Sequence, residues 1–175
     1  MEAAVKEAAP EQVKSSDECP ECLAGNLGWL LTQAHFNLVS EVGAALEPLG
    51  VSNRGYHVLA TARTGEFTQK ELAERIGLDK TTMVVTVDEL EAKGLAERRP
   101  SSTDRRARVI AVTKAGERTV ASGQKIIDQI QADVLANLPS GERKVFLEAL
   151  GSLVKERLAQ PAPDAPPLRR REPRA

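Results

Sequence analysis

Residues 68–116 read TQKELAERIGLDKTTMVVTVDELEAKGLAERRPSSTDRRARVIAVTKAG, and the start, stop and period signals in this stretch decide the fold. Thr68, Gln69, Lys70 and Glu71 form a capping box, in which the Thr hydroxyl and the Glu carboxylate each satisfy a backbone donor that a helix start leaves without a partner. Leu72, Ala73 and Ile76 then face inward until Gly77 stops the helix. Asp79 caps the next helix, with Met83, Val87 and Leu90 as its buried stripe and Lys93-Gly94 as its end. After Gly94 the period shortens to that of a strand. Leu95 to Arg99 and Arg108 to Val112 are predicted strands, and Pro100, Ser101, Ser102, Thr103 and Asp104 make a turn-rich tip between them. Thr113 caps another helix.

Outward from this stretch the chain is helical. Leu23, Leu27, Leu30, Leu31, Ala34, Leu38, Val42 and Leu46 recur at three- and four-residue steps, predicting a long amphipathic helix that Pro48 and Gly50 end. A second helix opens at Ser52 and runs through Tyr56, Leu59 and Ala60 to Thr64-Gly65. The helix after Thr113 carries Val120, Ile127, Ile130 and Val134. Pro139-Ser140-Gly141 breaks it, and a last helix follows with Phe146, Leu150, Leu153, Val154 and Leu158, so that the helices at the two ends carry more apolar stripe than one small lobe can cover. Residues 1–18 read as a disordered arm and residues 159–175, rich in Pro and Arg, as a disordered tail. The fold class is therefore mainly α, an α+β winged helix: a helix-turn-helix with a two-stranded β wing, residues 51–112, plus an α-helical dimerisation layer from residues 19–50 and 113–158.

Two short helices joined at a glycine turn suit a major groove, where the second helix enters. With 24 Lys and Arg against 25 Asp and Glu, and a formal net charge of −1, the partner is not announced by bulk basicity. It is announced by position. Arg98, Arg99, Arg105, Arg106 and Arg108 crowd one hairpin with the single acid Asp104, and such a ribbon suits phosphates and the negative potential of a minor groove. An acid there opposes phosphate, so Asp104 is expected to orient Arg106 through a charge-assisted bond. On the fourth helix, Thr81, Thr82, Val85 and Glu89, flanked by Lys80 and Thr86, are expected to meet the groove.

Leu72-Ala73 to Gly77, the helix close Glu91-Ala92-Lys93-Gly94-Leu95, the wing Asp104-Arg105-Arg106 and the exit Val112-Thr113-Lys114-Ala115-Gly116 together resemble the MarR family of bacterial regulators over about residues 23–158. The resemblance implies an obligate homodimer whose first and last two helices form the dimer layer, and double-stranded DNA with a palindromic operator as partner. It also implies release by a small-molecule effector, an oxidant or a metal. Members of the family often carry Arg where Val85 stands. Val85 offers an apolar surface suited to thymine methyl groups instead, which predicts A·T-rich half-sites. Trp29, Arg54, Tyr56 and His57 are the candidate ligand-binding residues. Urate-responsive relatives also use a first-helix Trp but have an acid about where His57 stands, which argues against urate.

Cys19-Pro20-Glu21-Cys22 supports a rival reading, a thiol-based redox switch, because paired thiols at a helix start can have lowered pKa values and close a disulfide. Peroxide-sensing relatives hold their reactive Cys inside the first helix, where Gly28 stands here. Cys22 and His35 have the spacing of a zinc finger, but the site fails at the fourth ligand, since His57 lies far outside the usual spacing from His35 and His35 sits within a long helix, so no metal and no cofactor are expected. No Ser-His-Asp set, phosphate loop or catalytic carboxylate pair can be assembled, and the chain reads as not an enzyme. No apolar run nears the roughly 20 residues of a membrane span, and the acidic start lacks the pattern of a signal peptide. A cytoplasmic protein is expected, and a dimeric interaction module without DNA binding is the remaining alternative.

Overall fold

The computed structural model describes residues 23–159. Along the chain, α1 spans Leu27–Leu46, a 3-10 turn Glu47–Leu49, α2 Asn53–Ala62, α3 Gln69–Ile76 and α4 Lys80–Ala92. β1 (Ala96–Pro100), β2 (Arg108–Val112), α5 (Lys114–Ala136) and α6 (Ser140–Lys155) follow. This is the mainly helical, winged-helix order that the periodicity predicts. The cysteines Cys19 and Cys22, the arm and all of the tail but Ala159 lie outside the described residues.

The caps act where the sequence places them. Thr68 and Glu71 close the reciprocal box at the start of α3, and Asp79 accepts the Thr82 backbone N–H at 3.0 Å to start α4. Gly77 and Gly94 end those helices with φ of 69° and 66°, left-handed values that favour glycine because it has no Cβ to clash. The first helix starts later than its apolar repeat suggests. Asn26 accepts the Trp29 N–H at 2.9 Å and fixes the start at Leu27, so a local cap outweighs the single apolar residue Leu23.

The chain divides into two units after Ile126, within α5. In the first, Leu46, Val58, Leu59, Leu72, Met83, Val87, Ile110 and Val120 are the fully buried core, each contributing about 1.5–3 kcal/mol on burial. β1 and β2 pair antiparallel with Ala96 opposite Val112 and Pro100 opposite Arg108. The segment before α3 adds a partial third strand: Thr68 bridges Val109 and the Ile110 N–H donates to the Phe67 carbonyl at 3.0 Å. In the second unit Ile127 and Ile130 are buried, and Arg143 donates to the carbonyls of Leu138 (3.1 Å) and Ala136 (3.3 Å), closing the C-terminal end of α5.

The C-terminal helices leave apolar surface open. α6 buries no side chain in the single chain, and Phe146, Leu153, Val154 and Leu158 are exposed. Val134 of α5 is exposed as well. An apolar stripe marks a face that can be covered, and the single chain leaves these residues open.

The turn from β2 into α5 is the tightest junction. Thr113 donates its hydroxyl to the Gly94 carbonyl at 2.7 Å and accepts the Gly116 N–H at 3.1 Å. A Cβ on Gly116 would collide with the Leu95 carbonyl oxygen and lie 2.7 Å from Val112 Cγ1. Gly116→Ala should therefore cost about 1–3 kcal/mol through overpacking, read as a lower urea midpoint at unchanged slope. Gly43→Ala, which would meet nothing within 4 Å, should show no such loss.

Candidate nucleic-acid interface

The second helix of the pair, α4, presents Lys80, Thr81, Val85, Asp88 and Glu89 to solvent, with Val85 51% exposed. Thr82 and Thr86 do not belong to this face. Both are buried, because the covered arc of α4 is wider than the Met83, Val87, Leu90 stripe and takes in its neighbours. Their hydroxyls are satisfied locally: Thr82 Oγ1 donates to Asp79 Oδ2 at 2.6 Å and Thr86 Oγ1 to the Thr82 carbonyl at 2.7 Å. A threonine suits such a position, since its hydroxyl can bond backward along the helix while its methyl packs.

The five arginines of the hairpin separate into two kinds. Arg98 is committed to the protein. Its guanidinium pairs with Glu91, with Asp88 at 2.7 Å and with Gln69 Oε1 at 3.1 Å, while its backbone N–H donates to Glu91 Oε1 at 2.7 Å. Burial opposes its charge, but the Asp88 hydrogen bond and the carboxylates of Glu91 and Asp88 overcome that and raise its pKa. Arg98 thus joins β1 to α4 and to the start of α3, its guanidinium engaged by protein side chains. Arg99 is half-committed, 3.6 Å from Glu66 and 53% exposed. Arg105, Arg106 and Arg108 are exposed, and no carboxylate among the described residues lies within ion-pair distance of them.

Asp104 fixes Arg106 by a different atom from the one expected. Its Oδ1 accepts the Arg106 backbone N–H at 2.9 Å, a turn of the kind Asp favours, so the acid sets the backbone and leaves the guanidinium unpaired. Glu66, which carries no local motif, accepts from Ser101 Oγ, Ser102 N–H and Ser102 Oγ, each at 2.9 Å. These bonds, the Ser102 N–H first, hold its carboxyl below the usual range, with Arg99 adding to the effect. The partners are 35 and 36 residues away, which is why a reading by neighbours misses them.

Among the ligand candidates, Tyr56 and His57 meet edge to face with centroids 5.9 Å apart. Tyr56 is buried and donates to Gln124 Oε1 at 2.7 Å. Partial shielding lowers the pKa of His57 through desolvation, favouring the neutral ring. Arg54 is exposed and Trp29 half-exposed.

A helix-turn-helix followed by a pinned two-stranded ribbon with exposed arginines around its tip defines a winged-helix protein. A model of the MarR family matches residues 56–107. CouR from Rhodococcus jostii RHA1, solved with p-coumaroyl-CoA bound, is 29% identical over 78% of this chain and 96% of its own, with a TM-score of 0.69. A MarR-family regulator from Rhodococcus sp. RHA1 is 28% identical over 78% and 99%, also at 0.69. CouR on a 23-mer DNA duplex gives 25% over 73% and 92%, at 0.66. Over residues 56–107 the chain matches the MarR family, and over about three quarters of its length it has the fold of solved transcriptional regulators.

The two kinds of arginine predict different losses. Arg98→Ala should cost about 1–2 kcal/mol of stability, a charged hydrogen-bond loss discounted for a side chain about a third exposed. Urea unfolding checks it, and Arg105→Ala should leave the midpoint within about 0.5 kcal/mol of wild type.

Proposed function

We propose that this chain is a homodimeric repressor that binds a palindromic operator in double-stranded DNA and is released by a small-molecule effector. The observation that carries the reading is the set of exposed Arg105, Arg106 and Arg108, which have no ion-pair partner among the described residues, on a ribbon clamped to α4 by Arg98. Three free cations at a fixed place beside an exposed helix face suit phosphate contacts and minor-groove potential on both sides of a major-groove contact. The near-neutral total charge then matters little, because the field is local.

On α4 the exposed residues supply a hydroxyl, an aliphatic surface and one cation, Lys80. This composition favours thymine methyl contacts at Val85 and Thr81 over bidentate guanine readout. Homodimerisation is supported by apolar surface that one chain leaves uncovered: Leu27, Leu30 and Phe36 of α1, and separately Val145, Phe146 and Val154 of α6, each at least 43% exposed. Exposed apolar side chains in this number suit an interface, and a two-fold pairing is the commonest way to cover one. Effector release is supported by CouR, which was solved both with p-coumaroyl-CoA and with DNA. Trp29, Arg54, Tyr56 and His57 are the proposed ligand contacts. A cytoplasmic location follows from the proposed work on DNA, and no helix among the described residues is long and apolar enough to cross a membrane.

Three measurements test this reading. Sedimentation at micromolar concentration should give a dimer, and a monomer contradicts it. Binding to duplex DNA from upstream of its own gene should weaken with salt, and Arg106→Ala should flatten log affinity against log salt by about two units per dimer, one from each protomer's Arg106. An unchanged slope in a folded dimer removes the wing from the interface. Trp29 is the only Trp, so titration with p-coumaroyl-CoA as a probe should change its fluorescence if an acyl thioester enters beside it. An unchanged spectrum together with unchanged DNA affinity excludes that ligand class.

A further inference from the structure

Glu66 lies outside the helix-turn-helix and outside the wing, yet its carboxylate begins a continuous chain of bonds to the arginine tip. Oε2 accepts the Ser101 hydroxyl, the Ser102 N–H and the Ser102 hydroxyl, each at 2.9 Å, and Oε1 lies 3.6 Å from Arg99 Nη2. The Ser101 hydroxyl, 8% exposed as a residue, passes the constraint on by accepting the N–H groups of Thr103 at 3.2 Å and Asp104 at 3.5 Å. Asp104 in turn accepts the Arg106 N–H at 2.9 Å, and the turn closes with Ala107 N–H on the Asp104 carbonyl at 3.0 Å. The other end of the chain is equally fixed. Phe67, next to Glu66, accepts from Ile110 and lies under the Arg75 guanidinium at 4.4 Å, and Thr68 is the cap of α3.

We propose that Glu66 is a positioning residue for DNA binding, which holds Arg106 at a set height relative to α4 through Ser101 and Asp104. This rests on the DNA-binding reading above. The chemistry gives the proposal a sign. Glu66 is an anion near a surface meant for a polyanion, so by charge alone its removal would strengthen binding. As a positioning residue its removal weakens binding, because freeing the turn makes the ordering of the Arg106 segment a cost of association. Gln at this position keeps an acceptor for Ser101 and Ser102 while losing the charge that faces Arg99. Glu66→Gln should therefore fall between wild type and Glu66→Ala.

A double-mutant cycle on the full-length protein tests it, reading affinity for an upstream duplex by fluorescence anisotropy at fixed salt. Glu66→Ala should weaken binding about tenfold, the scale of removing a charged hydrogen-bond set. In the Arg106→Ala background the same substitution should change affinity less than about twofold, because the group it positions is gone. Hydrogen exchange without DNA adds an independent readout: the Ser102 amide, which Glu66 accepts, should exchange faster in Glu66→Ala while amides of α4 stay protected. Tighter binding, equal effects in both backgrounds, or unchanged Ser102 exchange would overturn the proposal. A wild-type protein that binds no DNA overturns the DNA-binding reading and this proposal with it. Wild-type binding with an inert Glu66→Ala overturns only the positioning role.

Discussion

The Arg98 guanidinium, held between Glu91, Asp88 and Gln69, is the interaction on which the site depends. A two-stranded ribbon is marginal by itself in water, and its direction would wander without an anchor. Arg98 supplies that anchor from the middle of β1, where its partner across the strands is Ile110, a core residue. One face of the hairpin is thus held by apolar burial and its edge by a charged clamp to α3 and α4. Removal of Arg98 itself leaves the part-buried Glu91 without its cation, so the clamp is costly to break even where the pair adds little net stability.

That commitment divides the charge of the wing. Five arginines look equivalent as a cluster, but Arg98 is neutralised internally, Arg99 is shared with Glu66, and only Arg105, Arg106 and Arg108 face solvent without an ion-pair partner among the described residues. The turn beyond Pro100 is held by polar side chains together with two backbone bonds between Ser101, Asp104 and Ala107. Glu66, Ser101 and Asp104 accept backbone N–H groups that a two-stranded hairpin tip would otherwise give to water. Exposed arginines on a polar turn anchored at both roots are preorganised for an anion. Loss of a root is expected to act on DNA affinity as surely as loss of a cation.

How much of this is visible in the sequence depends on the range of the interaction. The capping box of Thr68 and Glu71, the Asp79 cap and the stops at Gly77 and Gly94 act within four residues, and all stand as read. The Met83, Val87, Leu90 stripe is likewise fully or almost fully buried. Polarity alone misplaces Thr82 and Thr86 on the exposed face, whereas a threonine hydroxyl finds its partner inside its own helix. Arg98 escapes a reading by neighbours because its partners are side chains on other elements, and Glu66 escapes it for the same reason. The apolar repeats of α1 and α6 suggest core positions, and in one chain many of them remain exposed. Periodicity reports that a face is apolar, not which molecule covers it.

The central claim is that two copies of this lobe, each with a clamped wing, read a two-fold site in DNA. Hydroxyl-radical footprinting of wild-type protein on DNA upstream of its own gene tests it most directly. The account predicts two symmetric sets of protections whose centres lie about one helical turn, roughly 34–36 Å, or a multiple of it apart, with flanking minor-groove protection that Arg106→Ala removes. Protection of a single half-site, or none at low salt, would contradict it.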